Sequence, residues 1–296
     1  MSSISRRHFI KASVAAGALA TTGGLPLAGL SGSRKDWATE WVTLGKSNVK
    51  VTRLAFGTGT FSGRVQQDLG QQGFTRLVRY AYDRGIRFFE TAESYGESQQ
   101  MLGEALNGLP RESYKLMTKV TTMEGVDPAE HLNQLLRSSK TDYFDIMLLH
   151  WQHTATWPEN TRPWQDAIVE AQAKKTIMGR GASVHGLPAL RQVPTDDWLD
   201  IGMIRCNQTG IDMDAESYMA PTGDVPVVVD YIKKTLGARK GVISMKLAGE
   251  GTFNHEQRQA AMRFAFRHAG VDSVTVGYKS TAEIDEAIDN VNLAFA

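Results

Sequence analysis

Eight short runs of β-branched and aliphatic residues, separated by longer stretches with apolar residues every three or four positions, constrain this chain most. The runs lie at 53–57, 86–91, 114–119, 144–150, 179–184, 199–206, 242–247 and 273–277, and helical periodicity marks 74–84, 98–106, 128–138, 164–174, 226–236 and 255–268. Such alternation predicts βα units and a parallel sheet. Eight units in about 250 residues is the size of a (β/α)8 TIM barrel. A doubly wound sheet would open its first helix with G-x-G-x-x-G, and Gly57-Thr58-Gly59-Thr60-Phe61-Ser62 lacks the third glycine. Ahead of the first barrel strand, WVTLGKSNVKV at 41–51 reads as a short N-terminal β-hairpin turning at Lys46-Ser47-Asn48. No repeat or low-complexity block follows residue 35, and the longest loop expected is 151–163, after the fourth strand. With 42% hydrophobic and 22% charged residues, the chain can fill such a core.

The charge balance, 33 Lys+Arg against 32 Asp+Glu, gives no reason to expect nucleic acid as a partner. It is unevenly spread: residues 1–35 hold Arg6, Arg7, Lys11, Arg34 and Lys35 and no acid, so the rest has 28 basic against 32 acidic residues, a net −4. The chain therefore divides into a basic leader at 1–35 and a barrel at 36–296. The leader begins MSSISRRHFIKASVAAGALATTGG, an arginine pair followed in register by Phe9, Ile10 and Lys11 and then by a weakly apolar Ala/Gly run. It resembles a twin-arginine export signal almost residue for residue. A basic disordered tail and an Ala-rich first helix are the competing readings, and neither accounts for the pair, Phe9 and Lys11 together. The resemblance implies handling by the twin-arginine translocation machinery, which carries folded proteins, and a periplasmic destination. Small residues at Ala18 and Ala20, or at Gly29 and Ser31, offer cleavage points. Gly23, Gly24 and Pro26 interrupt the apolar run, which falls short of the ~20 residues of a permanent membrane span. The single cysteine, Cys206, excludes an intramolecular disulfide and any four-thiolate metal site within this chain. It also suits an oxidising compartment, where spare thiols are a liability.

In a barrel, chemistry is carried by residues at the C-terminal strand ends. The second run ends FFETAESYG, with Glu90 and Tyr95; the third ends in Lys119 and the fourth in His150. A carboxylate, a phenol, an ammonium and an imidazole thus share one rim. A phenol near pKa ~10 becomes a useful acid–base group only with tuning, and the cation of Lys119 could favour its phenolate. His150, His153 and Glu159 could instead be read as metal ligands, from two histidines at a strand end and in a loop. Trp151, Trp157 and Trp164 around the long loop could cover a carbonyl pocket or pack the barrel's fourth helix, the latter favoured for Trp164.

FFETAESYGESQQMLGEAL, KLMTKV and TDYFDIMLLH, with WVTLGKSNVKVTRLAFGTGTF before them and VGYKSTAEIDEAI near the end, resemble the aldo-keto reductase family's motifs in order and spacing. The resemblance implies an NADP-dependent oxidoreductase acting on a small carbonyl or alcohol substrate, with NAD as the possible substitute. Tyr95 would protonate the alkoxide, Glu90 would hold Lys119 charged, and His150 would orient the carbonyl. The family has aspartate where this chain has Glu90. Gly57 and Thr58 match positions lining the nicotinamide, and Ser183 matches the serine that binds its carboxamide. Lys246 could reach the pyrophosphate. Lys279 and Ser280 lie in the loop after the last strand, where barrels bind phosphate, and Lys279 matches the residue that recognises the 2′-phosphate. A merely solvated lysine is the other reading of Lys279, and Glu283 nearby would repel that phosphate. Val184, Met203 and Met245 stand where the family has asparagine, glutamine and an aromatic. These departures favour a second function, a degenerate barrel that binds a cofactor or ligand for a partner without turnover; Tyr95, Lys119 and His150 together oppose it. A metal-assisted isomerase or lyase on the same fold is the third.

Overall fold

The structure is a computed structural model and describes residues 35–296. The leader expected at 1–35 lies outside the described residues except for Lys35. Eight parallel strands close into a barrel in the order β10-β3-β4-β5-β6-β7-β8-β9. They are β3 (Leu54–Gly57), β4 (Phe88–Glu90), β5 (Lys115–Val120), β6 (Phe144–Gln152), β7 (Ile177–Val184), β8 (Ile201–Arg205), β9 (Gly241–Met245) and β10 (Ser273–Gly277). Each expected run therefore becomes a strand, displaced by no more than a few residues at its ends. The expected hairpin is present as β1 (Trp41–Thr43) and β2 (Lys50–Thr52), paired antiparallel with Val42 opposite Val51.

The barrel strands are buried on both faces, which is why they read as continuous apolar runs. Their period of two still sorts residues between two cores. Ala55, Phe88, Met117, Ile146, Leu148, Ile201, Met203, Ile243 and Met245 pack inside the barrel. Leu54, Phe56, Phe89, Leu116, Met147, Leu149 and Ala182 face outward onto the helices. The hairpin closes the N-terminal end. Leu44, Val49 and Val51 belong to the inner core, and Gly241 must lack a Cβ because one would stand 2.6 Å from Leu44 Cβ.

The helices follow from the same patterning. Gly70–Asp83 buries Phe74, Leu77, Val78 and Ala81, one stripe of a 3.6-residue period. Pro128–Ser138 starts at a proline and is capped by Asp127, whose carboxylate accepts from the amide of Ala129 at 3.0 Å. The last helix, Thr281–Phe295, is capped by Ser280. None of the described helices is long and apolar enough to cross a membrane.

The segment 151–163 is not the open loop expected. Trp151 and Gln152 continue β6, and Trp157–Asn160 form a short helix. Trp157 is buried with its indole N–H donating to the carbonyl of Ala189, and Trp164 is buried edge-on to His131. Both pack the wall, so Trp151 alone of the three remains exposed. The long irregular connection is instead 206–224, following β8.

Candidate active site

The side chain two places beyond an inner-core residue points up the barrel axis at its C-terminal mouth. By this step Phe88 leads to Glu90, Met117 to Lys119, Leu148 to His150 and Ala55 to Gly57. Glu90, Lys119, Tyr95 and His150 accordingly meet. The ammonium of Lys119 is wholly buried, donates to Glu90 Oε1, and donates to the carbonyl of Thr91 at 2.8 Å. Glu90 Oε2 accepts from the hydroxyl of Thr275 at 3.1 Å. The longer glutamate side chain fits because Gly57 has none: a Cβ there would lie 3.0 Å from Oε2. Tyr95 lies against this pair, its ring centroid 4.5 Å from Lys119 Nζ, and meets His150 edge to face at 5.5 Å. The hydroxyl of Ser94 is 3.0 Å from His150 Nδ1, so the imidazole is anchored through that nitrogen.

The electrostatics depart from the sequence expectation. Burial, and then the charge of Glu90, hold the Tyr95 phenol well above its ordinary pKa. The charge of Lys119 is spent on Glu90 and Thr91, and its ammonium faces the ring rather than the hydroxyl. Burial pulls Lys119 below the usual lysine range against the pull of Glu90. Burial and then the Lys119 charge keep His150 well below its usual value, so its imidazole is neutral at physiological pH. The cluster is therefore a protonated phenol beside a neutral imidazole, and with Ser94 donating to Nδ1 the imidazole would carry its proton on Nε2 as a second donor.

A cleft of about 640 Å³ opens over Tyr95 and Glu90, walled by Gly57, Gly59, Thr60, Met203, Met245 and Lys246. Gly59 forms the shelf under the phenol, since a Cβ there would lie 2.6 Å from Tyr95 Cζ and 2.7 Å from its hydroxyl oxygen. Lys246 and Glu250 pair across the cleft wall, and Glu250 Oε2 accepts from the amide of Phe61 at 3.3 Å. Lys246, Glu250 and Phe61 all hold left-handed backbone conformations, the strain expected where structure serves a site. Through Thr60, Leu247, Ala248 and Gly277 the cleft runs into a second pocket of about 970 Å³, which reaches Arg258, Lys279, Glu283 and Glu286.

The model of the aldo/keto reductase family matches residues 53–216, more than half the chain. The chain belongs to the aldo/keto reductase family. A second family model, the twin-arginine translocation pathway signal sequence, matches residues 3–23. The Glycine max protein "Probable aldo-keto reductase 1" is 36% identical over 80 residues, which cover 26% of this chain and 23% of that protein. The Bacillus subtilis aldo-keto reductase YhdN is 20% identical over 167 residues, 52% of this chain and 50% of that protein. The chain thus spans half or less of these two relatives. An aldo-keto reductase from Klebsiella pneumoniae, solved in complex with NADPH, superposes with a TM-score of 0.64 at 18% identity, over 86% of this chain and 89% of that one.

In this member of the family the residues expected at a cofactor are dispersed. Gly57 and Lys246 line the cleft. Lys279 lines the outer pocket, and Ser280 caps the last helix beside it by accepting from the amide of Glu283 at 3.3 Å. Thr58 points away, its buried hydroxyl on that of Thr91 at 3.0 Å. Ser183 is buried inside the barrel top, 3.5 Å from His185 Nε2. Among the departures, Met203 and Met245 give the cleft an apolar wall, whereas Val184 faces the outer core. Sequence reasoning passed over Gly59, Glu250, Arg258 and Glu286. Gly59 alone carried a local signal, as the next step of the period-two pattern through Ala55 and Gly57. His150, His153 and Glu159 do not gather, and no group of three metal-ligating side chains is found among the described residues. Cys206 is buried, and burial pushes its thiol up to about 12.

Proposed function

We propose that this protein is an exported oxidoreductase that transfers a hydride between a nicotinamide dinucleotide and a carbonyl or alcohol substrate, with Tyr95 as the general acid and base. The observation that carries the reading is the Tyr95 hydroxyl, set on Gly59 at the cleft, with His150 against its ring and the Lys119–Glu90 pair beneath. The lining suits the cofactor: four glycines, Gly57, Gly59, Gly251 and Gly277, border the cleft, a side chain at Gly57, Gly59 or Gly277 would press on Thr275, Tyr95 or Thr60 in its wall, and the cleft continues into the second pocket. Gly57 and Thr60 would flank the nicotinamide and Lys246 the pyrophosphate. When bound, the cofactor supplies or accepts the hydride.

The chain's own residues account for the rest. A carbonyl oxygen between Tyr95 and His150 receives two donors, which polarise the carbonyl and fix its face. As negative charge develops on that oxygen, the phenol of Tyr95 hands over its proton, and the buried ammonium of Lys119 offsets the charge left on the ring. Glu90 keeps that ammonium in place. The apolar wall of Met203 and Met245 excludes water from the developing charge. NADP was the cofactor expected from Lys279, and the Klebsiella relative's NADPH supports the nicotinamide class. The signal at 3–23 supports export by the twin-arginine route and a periplasmic location, to which the protein would carry its cofactor already bound.

Titration of the purified full chain with NADH and with NADPH, followed by a panel of aldehydes, tests this. Saturable binding of at least one dinucleotide and its oxidation by an aldehyde are expected. Absence of binding overturns the reading, and binding without turnover under any aldehyde favours the degenerate barrel that serves a partner.

A further inference from the structure

The outer pocket bears on which dinucleotide the site takes, and this inference rests on the nicotinamide reading above. Two cations line that pocket, and each already has a carboxylate of its own. Arg258 is held by Glu286 through Nε to Oε1 at 2.8 Å and Nη2 to Oε2 at 2.9 Å, and it also donates to the carbonyl of Phe253 at 2.6 Å. His255 Nδ1 adds a third contact to Glu286, 2.9 Å from Oε1. Lys279 Nζ stands 3.8 Å from Glu283 Oε1, while Glu283 Oε2 accepts from the Lys279 amide at 2.8 Å. Glu283 also sits in the first turn of Thr281–Phe295, so the anion that this helix start favours is supplied by the chain itself.

The outer pocket continues the cleft over Tyr95, so a dinucleotide with its reacting end at Tyr95 would place its far ribose here. A 2′-phosphate arriving there would add about two negative charges to a pocket already lined by Glu250, Glu283 and Glu286 and would find both cations engaged. A ribose 2′-hydroxyl instead brings a donor, and a carboxylate is the acceptor used for that hydroxyl in NAD-binding folds. We infer that Glu283 is a specificity-determining residue that makes this site select NAD(H) over NADP(H), with Glu286 reinforcing the choice by holding Arg258. Lys279 is thereby the partner of Glu283 rather than a phosphate anchor.

The test measures dissociation constants of NADH and NADPH by fluorescence for the wild-type full chain and for Glu283→Gln, with competition by 5′-AMP and by adenosine 2′,5′-bisphosphate to report on the outer pocket alone. Glutamine keeps an acceptor for the Lys279 amide and removes the charge, and the melting temperature checks the fold. The wild type is expected to bind NADH at least about tenfold more tightly than NADPH, and Glu283→Gln to tighten NADPH about tenfold with NADH changed by less than about threefold. The two adenosine nucleotides are expected to follow the same order. A wild type that prefers NADPH, or a ratio unmoved in Glu283→Gln, overturns the assignment and leaves the nicotinamide reading standing. Failure of both dinucleotides to bind overturns the two together.

Discussion

Tyr95→Phe is expected to lose carbonyl reduction by about 10²–10⁴-fold in kcat, the usual worth of a positioned general acid, while binding the dinucleotide like the wild type. The substitution removes one hydroxyl and keeps the ring, so the packing against His150 and the face offered to Lys119 persist. The same account fixes a pH dependence. Because burial and Glu90 raise the phenol's pKa, the acid form persists above the ordinary tyrosine range. Reduction by the wild type should therefore stay level from neutral into alkaline pH, whereas alcohol oxidation, which needs the phenolate, should climb across that span. Rate measurements in both directions from pH 6 upward check this. A reduction rate that falls near neutrality would assign the proton to another group.

Gly59→Ala is expected to cost about 100-fold in turnover with little loss of stability, because ångström-scale misplacement of a reacting group is that expensive. The new Cβ would stand 2.6 Å from Tyr95 Cζ and 2.7 Å from its oxygen, closer than carbon atoms approach. Gly59 does not hold a left-handed conformation, so the backbone accepts alanine, and the atom that must yield is the free end of a side chain. The fold can absorb that shift, and the proton donor cannot. Steady-state kinetics with a thermal melt separate the two effects. Wild-type turnover in Gly59→Ala would show that the phenol's position is not set by this shelf.

The barrel was legible because parallel strands buried on both faces must be apolar throughout, and nothing else in the chain imitates eight such runs. The polar residue that ends each run was legible for the same reason: Glu90, Lys119 and His150 break patterns that should have continued. Other features depend on neighbours that only closure provides. Thr58 looked like a cofactor residue by its place after β3, yet the period of two turns it toward Thr91 and gives the cleft to Gly57 and Gly59. Glu283 lies only four residues from Lys279, so its repulsion of a phosphate was readable, but Arg258 and Glu286 come together across the gap between two helices. The sense of Tyr95's pKa also needed the fold, since it turns on where Lys119 spends its hydrogen bonds. The export signal is read from the chain alone, at residues 3–23.

The most direct test of the central claim is a single-turnover reaction of the wild-type protein with a dinucleotide carrying deuterium at both positions of the reactive carbon of its reduced nicotinamide, and an aldehyde in excess. Hydride transfer at the Tyr95 site predicts an alcohol with one deuterium on the former carbonyl carbon, formed as the reduced cofactor disappears and slowed by about 10²–10⁴-fold in Tyr95→Phe. An alcohol without deuterium, or cofactor bound with no alcohol formed, would contradict it.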